Sequence, residues 1–279
     1  MRLRILWMFP DILNLHGGRG DVMALLRICE QVGVEAELRR VDRLTDDIDF
    51  AWANLVVFGP GELAVFPAVR GSVLRFGDEI NNYVNDKKAI FAVGTTGALL
   101  ATETERTDGS RVQGLGLIDM TCRECTAPLG DDLIFRVPGL KEEICGIQIR
   151  MLDFFLAEKT SALGETSYGV GNTRIPPVVS EARPGFSASE RVTKIENPVL
   201  FEGAVEKGVV FTNALGPVLV KNPWFTLWLI RRALEAAEPE QASALPDPNE
   251  LAQSALWENE LESSRAVHLF NETKVKLDG

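Results

Sequence analysis

The sequence predicts an α/β fold: a doubly wound, mostly parallel sheet of the flavodoxin-like type, with short β-strands added in the second half. The first half alternates continuous apolar runs with segments of helical periodicity, which is typical of parallel strands covered by helices on both faces. Beyond about residue 114, shorter apolar runs are separated by loops rich in Gly, Pro and Asn, which indicates β-rich additions to the same core. Hydrophobic residues make up 46% of the 279 residues and charged residues 25%, a composition that excludes wholesale disorder.

The individual elements follow from these patterns in chain order. In the first half, strands are predicted at residues 3–9, 34–41, 54–58 and 89–93, and helices at residues 21–32, 69–84 and 96–102. In the second half, strands are predicted at residues 115–118, 133–137, 144–149, 199–203 and 208–212. A closing helix is predicted at residues 222–237, with Pro223 in its first turn and an apolar stripe that includes Trp224 and Trp228.

The predicted organisation is one domain at residues 1–236 followed by an acidic linker and C-terminal helix or tail at residues 237–279. Prolines 239, 246 and 248 favour a linker, and a weakly apolar helix is predicted at residues 249–264. From Glu235 onward the chain carries ten acidic and three basic residues, so most of its net charge lies in the tail. Such charge runs are usually solvated. A helix at residues 251–261 that docks on the domain or on a partner remains the alternative.

Composition also excludes several classes of function. The formal net charge of -11 argues against a general nucleic-acid binder, because phosphate binding needs a basic surface. No segment supplies the roughly 20 consecutive apolar residues that span a bilayer. The apolar N-terminal run ends at Pro10-Asp11 without a small-residue cleavage site, which favours a buried strand over a signal peptide. Four cysteines are too few for a disulfide scaffold, so we expect a cytoplasmic protein.

A ligand site is expected beyond the carboxyl ends of the parallel strands, where doubly wound folds bind their ligands. These ends are residues 9–20, 59–62 and 94–97. The predicted substrate-binding residues are Gly59, Gly61, Gly94 and Thr95. The first of these loops contains the run HGGRGD at residues 16–21, between a strand and a helix. A glycine-rich turn there is either a phosphate cradle or a tight βα turn, and its spacing fits neither nucleotide-binding fingerprint.

Two further motifs carry potential chemistry. Cys122 and Cys125 are three positions apart, which fits half a zinc site, a redox pair or two ordinary thiols. A closed zinc site needs four ligands.

The strand, small-residue corner and helix at residues 92–100 have the outline of a nucleophile elbow. Its apex, residue 94, is glycine rather than Cys or Ser. The hydroxyls of Thr95 and Thr96 follow the apex and are expected to cap the helix rather than act as nucleophiles.

Taken together, these segments resemble the glutaminase subunits of lipid II isoglutaminyl synthases, which are class I glutamine amidotransferases of the cobyric-acid-synthase type. The match extends over about residues 1–236. Its pieces follow in the order of the family: residues 9–21 (FPDILNLHGGRGD), 58–62 (FGPGE), the elbow at Gly94, 112–119 (VQGLGLID), 168–173 (YGVGNT) and 215–223 (LGPVLVKNP). The first and last pieces are the most specific.

The resemblance implies a chemistry that this sequence lacks. In the family, an elbow Cys attacks the side-chain amide of glutamine, a His near the C-terminal motif activates the thiol, and the ammonia passes to a Mur-ligase-like partner for amidation of the peptidoglycan stem peptide. Gly94 stands at the position of the Cys and Leu215 at the position of the His. Residues 146–150, GIQIR, replace the region of a family Asn-His pair, and no histidine lies between His16 and His268.

The resemblance therefore leads to a degenerate amidotransferase-like subunit as the first hypothesis. This would be a cytoplasmic pseudoenzyme with no catalytic residues, no metal and no cofactor, bound as a heterodimer to a Mur-ligase-like protein in cell-wall metabolism. The second hypothesis is a working glutaminase subunit with relocated chemistry at Thr95, Cys122 or Cys145, or one whose partner takes free ammonia. The third is a sensor that holds glutamine or a related small ligand in the surviving pocket without cleaving it.

Overall fold

The structure, a computed structural model, describes residues 1–174 and 200–251, together with residues 262, 266 and 269. The strands in this part of the chain are β1 (Arg2–Met8), β2 (Glu35–Val41), β3 (Leu55–Phe58), β4 (Ala89–Val93), β5 (Glu103–Glu105), β6 (Arg111–Gln113), β7 (Met120–Arg136), β8 (Ile144–Leu156), β9 (Gly164–Tyr168), β10 (Phe201–Glu202), β11 (Ala204–Glu206) and β12 (Val209–Thr212). The helices are α1 (Arg19–Gln31), α2 (Phe66–Leu74), α3 (Gly77–Asn85), α4 (Gly97–Leu100), α5 (Val218–Lys221), α6 (Pro223–Glu235), α7 (Pro239–Ser243) and α8 (Pro248–Leu251).

The main sheet confirms the predicted fold class. Its described strands run in the order β11-β12-β4-β3-β1-β2, and every neighbouring pair is parallel except β11 with β12. β3 and β4 are buried on both faces, because helices cover the sheet from either side. On one face α1 and α6 pack against the strands, and on the other α2, α3 and α4 do so.

The second half forms a separate sheet that packs on the same core. Its described strands run in the order β10-β9-β7-β5-β6, with β8 paired antiparallel to β7. The predicted strands at residues 133–137 and 144–149 are the facing ends of β7 and β8, which are much longer than their apolar segments. The start of β8 lies over the carboxyl end of the main sheet, where Ile147 bridges to Leu215.

Two predicted elements of the body differ in the structure. The single helix expected at residues 69–84 is two helices, because Phe76 leaves the helical range with φ -118° and ψ 39° and Gly77 follows it. Residues 115–118, expected to be a strand, form a loop below α4. The backbone N–H groups of Leu115 and Leu117 donate to the carbonyls of Leu99 and Leu100, so the loop satisfies the open carbonyl end of that helix. Their apolar character reflects burial in the core rather than a sheet.

The structure describes residues 237–251 of the segment that composition predicts as a linker, and this part of the segment packs against the preceding helix. α7 lies within it, and Ala242 and Leu245 are buried against α6 and its neighbours. Arg231 donates from Nη1 to the carbonyls of Leu245 and Pro246, and the Asn249 side chain bonds to the backbone of the turn between β7 and β8. α8 matches the start of the helix predicted at residues 249–264, and the rest of that prediction lies outside the described residues. The domain boundary at residue 236 stays a prediction.

Within residues 1–174 and 200–251, no helix combines the length and the apolar character needed to cross a membrane.

Candidate functional site

Three loops converge at the carboxyl end of the main sheet, as the sequence predicts. The backbone N–H of Leu15 donates to the carbonyl of Pro60 at 2.9 Å, which joins the first loop to the second. The Thr95 hydroxyl donates to the carbonyl of Gly61 at 2.6 Å and accepts from the N–H of Gly61 at 3.2 Å, which joins the second loop to the third. The structure thus brings residues 59–61 and the elbow together. Their role in binding a substrate stays a prediction.

The two threonine hydroxyls after the apex hold this arrangement in place. Thr96 donates to the carbonyl of Gly59 at 2.5 Å, parallel to the bond from Thr95 to Gly61. The expectation that they cap a helix is therefore wrong: they bond across to the neighbouring loop instead of to α4. Because both protons are engaged with buried carbonyls, neither hydroxyl is poised as a nucleophile.

Gly94, at the apex of the elbow, has the backbone geometry of a nucleophile elbow but carries no side chain. Gly94 has φ +60°, the left-handed conformation that lifts an elbow residue above the sheet and that favours glycine. A Cβ atom at this position would lie 2.8 Å from Cδ2 of Leu215 and 3.4 Å from Cβ of Pro60. The first distance is much shorter than ordinary contact between carbon atoms, and the second is at its lower limit. The space into which a side chain at the apex would point is thus occupied by Leu215.

Leu215 is itself fixed by β8. Its N–H donates to the carbonyl of Ile147 at 2.7 Å, and the N–H of Ile147 donates back to Leu215 at 3.2 Å. Its side chain is buried. The two positions that the resemblance assigns to nucleophile and base therefore do lie side by side, and here they form an apolar contact.

Beside this contact lies a buried polar network that sequence reasoning missed. The carboxylate of Glu202, fully buried, accepts hydrogen bonds from the Thr212 hydroxyl at 2.6 Å, the Asn213 N–H at 2.7 Å and Asn213 Nδ2 at 2.9 Å. Burial raises the pKa of Glu202, while these bonds and the charge of Arg150 oppose the shift. The Asn213 amide also donates to Oδ1 of Asn172 at 3.1 Å.

Arg150 extends the network from β8. Its guanidinium donates to the carbonyl of Leu152 at 2.9 Å, to the carbonyl of Val170 at 2.6 Å and to Oδ1 of Asn172 at 3.2 Å. Only 5% of the residue is exposed. The signal in the sequence was an arginine inside a mostly apolar stretch, which indicates either an exposed face or a paired buried charge. The structure shows the second.

The space left at the site is small. A cavity lined by Gly94, Thr95, Arg150, Asn213 and part of β8 has a volume of about 10 Å³. That is close to the minimum for one water molecule. An amino acid would enter here only if Leu215 or β8 moved.

The cysteines offered as alternative nucleophiles are buried thiols. Burial raises the pKa of Cys122 and of Cys145 to about 12, and it does the same for Cys29. Since the thiolate is the nucleophile, such thiols are almost wholly unreactive at neutral pH. On β7, Cys122 is buried and Cys125 is partly exposed, and neither is in a disulfide. Within the described residues, no group of three or more His, Cys, Asp or Glu side chains is placed to hold a metal ion.

The glycine-rich run at residues 16–21 forms a tight turn into α1. His16 has φ +53° and is exposed, and Gly20 packs against Pro217. Asp21, which follows, is buried, and its Oδ1 accepts the N–H of Leu219 at 2.8 Å. Burial raises the pKa of Asp21 to about 7, against the opposing effect of that bond. The motif therefore joins α1 to α5.

The raised pKa of Asp21 predicts a specific pH dependence of stability. The unfolded chain releases this proton near pH 3.8 and the folded chain near 7, so the free energy of unfolding falls as pH rises between these values. We expect Asp21→Asn, which keeps an acceptor for Leu219, to remove this loss, worth up to about 4 kcal/mol. Urea unfolding of both proteins at pH 4.5, 6 and 8 measures it. A difference in stability between variant and wild type that stays constant with pH would contradict the assignment.

Comparison with known proteins identifies relatives of this chain. No family model matches it. The sequence is 22% identical over 235 residues to subunit GatD of the glutamine-hydrolysing lipid II isoglutaminyl synthase of Streptococcus pneumoniae, covering 84% of this chain and 81% of that protein. One solved glutamine amidotransferase matches with 14% identity and a TM-score of 0.49, covering 82% of this chain and 98% of its own. Another, from Thermotoga maritima, matches with 11% identity and a TM-score of 0.45, covering 95% and 92%.

The sequence match includes more than four fifths of both chains. The resemblance predicted from the motifs is thereby confirmed: over most of its length this chain is similar in sequence to subunit GatD of lipid II isoglutaminyl synthase.

Proposed function

We propose that this chain is a degenerate glutamine amidotransferase-like subunit, which binds a Mur-ligase-like protein in the cytoplasm and supports peptidoglycan stem-peptide amidation without hydrolysing glutamine itself. The homology to a subunit of lipid II isoglutaminyl synthase supports a role of this kind in lipid II amidation. The loss of hydrolysis and the ligase-like partner are the parts that we add.

The contact between Gly94 and Leu215 is the observation that carries the proposal. Hydrolysis through a glutamyl thioester needs a thiol at the apex and a base within hydrogen-bond reach of it. Gly94 has no side chain, and Leu215 has no group that transfers a proton. Because Leu215 also fills the space above the apex, the two replacements fit each other sterically. A site that had merely lost its thiol would instead leave a gap.

The remaining groups support the same conclusion. Cys122 and Cys145 are held as neutral thiols by burial, and His16, the histidine in the described residues, is exposed on the first loop. The frame around the apex is meanwhile intact, since Thr95 and Thr96 still fasten the elbow to the neighbouring loop. A preserved frame around an apolar apex is what a binding or scaffolding subunit requires.

A working glutaminase is the alternative, because the relative from Streptococcus pneumoniae is named for glutamine hydrolysis. The discriminating experiment measures ammonia release from glutamine by the purified chain, alone and mixed with a Mur-ligase-like protein from the same organism. The Streptococcus pneumoniae subunit serves as the active reference. We expect no release above the buffer blank in either condition.

Two controls make the result decisive. Gly94→Val places a side chain where Leu215 already lies, so any ammonia that persists unchanged in this variant does not come from the apex. A cysteine-directed glutamine analogue followed by intact-mass measurement reports a reactive thiol on any of the four cysteines. Release that disappears in Gly94→Val while circular dichroism shows the variant to be folded, or a single covalent adduct, would overturn the proposal.

A further inference from the structure

We infer that an open edge of the main sheet binds a second copy of this chain, through antiparallel pairing of strand β2 across a two-fold axis. This surface, which we call the β2 edge, consists of residues 35–41. The inference goes beyond the proposed function and does not rest on it, because it concerns the contact of the chain with its own copy rather than with a ligase-like partner.

Backbone groups of β2 are open on the side away from β1. Among the described strands, β2 ends the sheet and pairs with β1 alone. The N–H of Glu35 donates to the carbonyl of Met1 at 3.0 Å, so Glu35 turns its backbone groups toward β1. Alternate residues of a strand share this direction, and the backbone groups of Ala36, Leu38 and Arg40 therefore point away from β1. Within the described part of the chain, these groups have no hydrogen-bond partner on that side.

The β2 edge lacks the usual features that prevent a strand from pairing with another chain. Its seven residues pair with β1 in continuous register, without a bulge, and include no proline or glycine. Its charged side chains are two acidic and two basic residues, so the edge is neutral and does not repel its own copy. The strand at the opposite edge of the sheet, β11, has only three residues. β2 is therefore the edge that is suited to pairing.

The order of the charges selects one register. A two-fold axis at Leu38 places Glu37 opposite Arg39 of the second copy, and Arg39 opposite the second copy's Glu37. Since Leu38 points its backbone groups outward, these flanking residues form the non-hydrogen-bonded pairs, in which side chains lie closest. An axis at residue 36, 37, 39 or 40 instead places two like charges directly opposite each other, which is unfavourable.

The side chains fit this register on both faces of the joined sheets. Glu37 and Arg39 already form an ion pair within the strand at 3.6 Å, with side chains 40% and 49% exposed. The second copy adds the same pair in reverse order, so four charges alternate in sign. On the other face, Ala36 lies opposite Arg40 of the second copy. A small side chain thus faces a long one, whose guanidinium lies 5.5 Å from the ring of Trp7.

Pairing in this way gives a closed dimer away from the candidate site. The two-fold contact uses the same edge of both copies, so no β2 edge is left to recruit a third. The elbow follows β4, and β3 and β1 lie between β4 and β2. Three strand spacings amount to about 14 Å. Gly94 of each copy therefore lies outside the contact.

Sedimentation velocity of the full-length chain over a range of concentrations tests the inference. We expect wild type to form a dimer whose Kd rises with salt. Glu37→Arg and Arg39→Glu should each raise this Kd at least about tenfold, because each places like charges opposite each other. An equimolar mixture of the two variants should recover the dimer, since every arginine then faces a glutamate. Glu79→Arg, at an exposed residue of α3, changes the net charge as Glu37→Arg does and should dimerise like wild type.

Leu38→Pro tests the backbone pairing itself. Proline removes the outward N–H at the centre of the contact, and an edge strand accepts proline where that N–H faces solvent. The bonds from β2 to β1 come from the alternate residues and are kept. We expect this variant to be a monomer, with circular dichroism and Tm confirming that it and the charge variants are folded.

Each outcome supports or overturns the inference. A wild-type chain that stays monomeric at the highest soluble concentration overturns it. A wild-type dimer that persists in Leu38→Pro and in both charge variants also overturns it, because the contact then lies elsewhere. If the charge variants dissociate the dimer and their mixture does not restore it, the two-fold register at Leu38 is wrong. The ammonia assay tests the proposed function separately, so either proposal can fail while the other stands.

Discussion

Replacing Arg150 by methionine is expected to lower the free energy of unfolding by about 3–5 kcal/mol, because breaking a buried charged network leaves its other members unpaired. Arg150 is 5% exposed, and its guanidinium donates hydrogen bonds to Leu152, Val170 and Asn172. It also favours the charged form of the buried carboxylate of Glu202. Urea unfolding monitored by tryptophan fluorescence at pH 7 measures the change.

Arg111→Met is the matched control. Arg111 lies on β6 of the same sheet, and its side chain is 63% exposed in an ion pair with Glu103. Exposed pairs contribute about 0–1 kcal/mol, so this variant should remain close to wild type. A loss in Arg150→Met no larger than that in Arg111→Met would contradict a structural role for the network.

A second variant tests whether the charges are coupled. Glu202→Gln removes the charge and can keep the two hydrogen bonds that Oε1 accepts, while its NH2 group no longer accepts from Asn213 Nδ2. In the Arg150→Met background it should cost less than in wild type, because the carboxylate there has lost its positive neighbour. Coupling within one buried network is typically about 0.5–3 kcal/mol. Strictly additive effects of the two substitutions would show that Glu202 does not depend on Arg150.

The fold of the first half could be predicted because its strands are continuous apolar runs that only a doubly covered parallel sheet accommodates. β7 and β8 could not be delimited in the same way. Their polar residues include Arg150, which is buried by partners about 20 residues away on another segment. Local alternation of polarity carries no information about such partners. The strand predicted at residues 115–118 is wrong for the opposite reason. Its apolar residues are buried against helix α4 rather than by pairing with another strand.

The candidate site was predictable in position but not in its interior. The strand ends identified which loops would meet, and the resemblance identified Gly94 and Leu215 as the altered positions. Gly94 and Leu215 are 121 positions apart in the sequence, and Leu215 is held in place by its backbone pairing with Ile147 of β8. The hydroxyls of Thr95 and Thr96 were misassigned because helix capping is the commoner local role of such residues. In the structure these hydroxyls instead form hydrogen bonds to the loop at residues 59–61, which is distant in sequence, so a local pattern does not reveal them.

The second large effect concerns the contact between Gly94 and Leu215. We expect Gly94→Ala to destabilise the protein by about 2–4 kcal/mol, from left-handed backbone strain together with the close approach to Leu215. The new Cβ would lie 2.8 Å from Cδ2 of a buried leucine that has little room to move. Leu215→Ala alone should cost about 2–5 kcal/mol through the cavity that it leaves.

The double variant Gly94→Ala, Leu215→Ala distinguishes a steric fit from two independent losses. Removing the leucine side chain relieves the overlap but leaves the strain at φ +60°, so the double variant should be more stable than the sum of the single effects by about 0.5–3 kcal/mol. Gly94→Ala combined with Leu25→Ala on α1 is the control, and there the effects should add to within about 0.5 kcal/mol.

The sign of this coupling decides how the apex became apolar. A favourable coupling means that leucine at residue 215 and glycine at residue 94 are each accommodated by the other, so a thiol would not fit back into the elbow unless residue 215 were reduced as well. Additivity in both pairs would mean that the side chain of Leu215 moves aside at little cost. The apex would then still have room for a reactive group, and the steric argument for a non-hydrolytic subunit would fail.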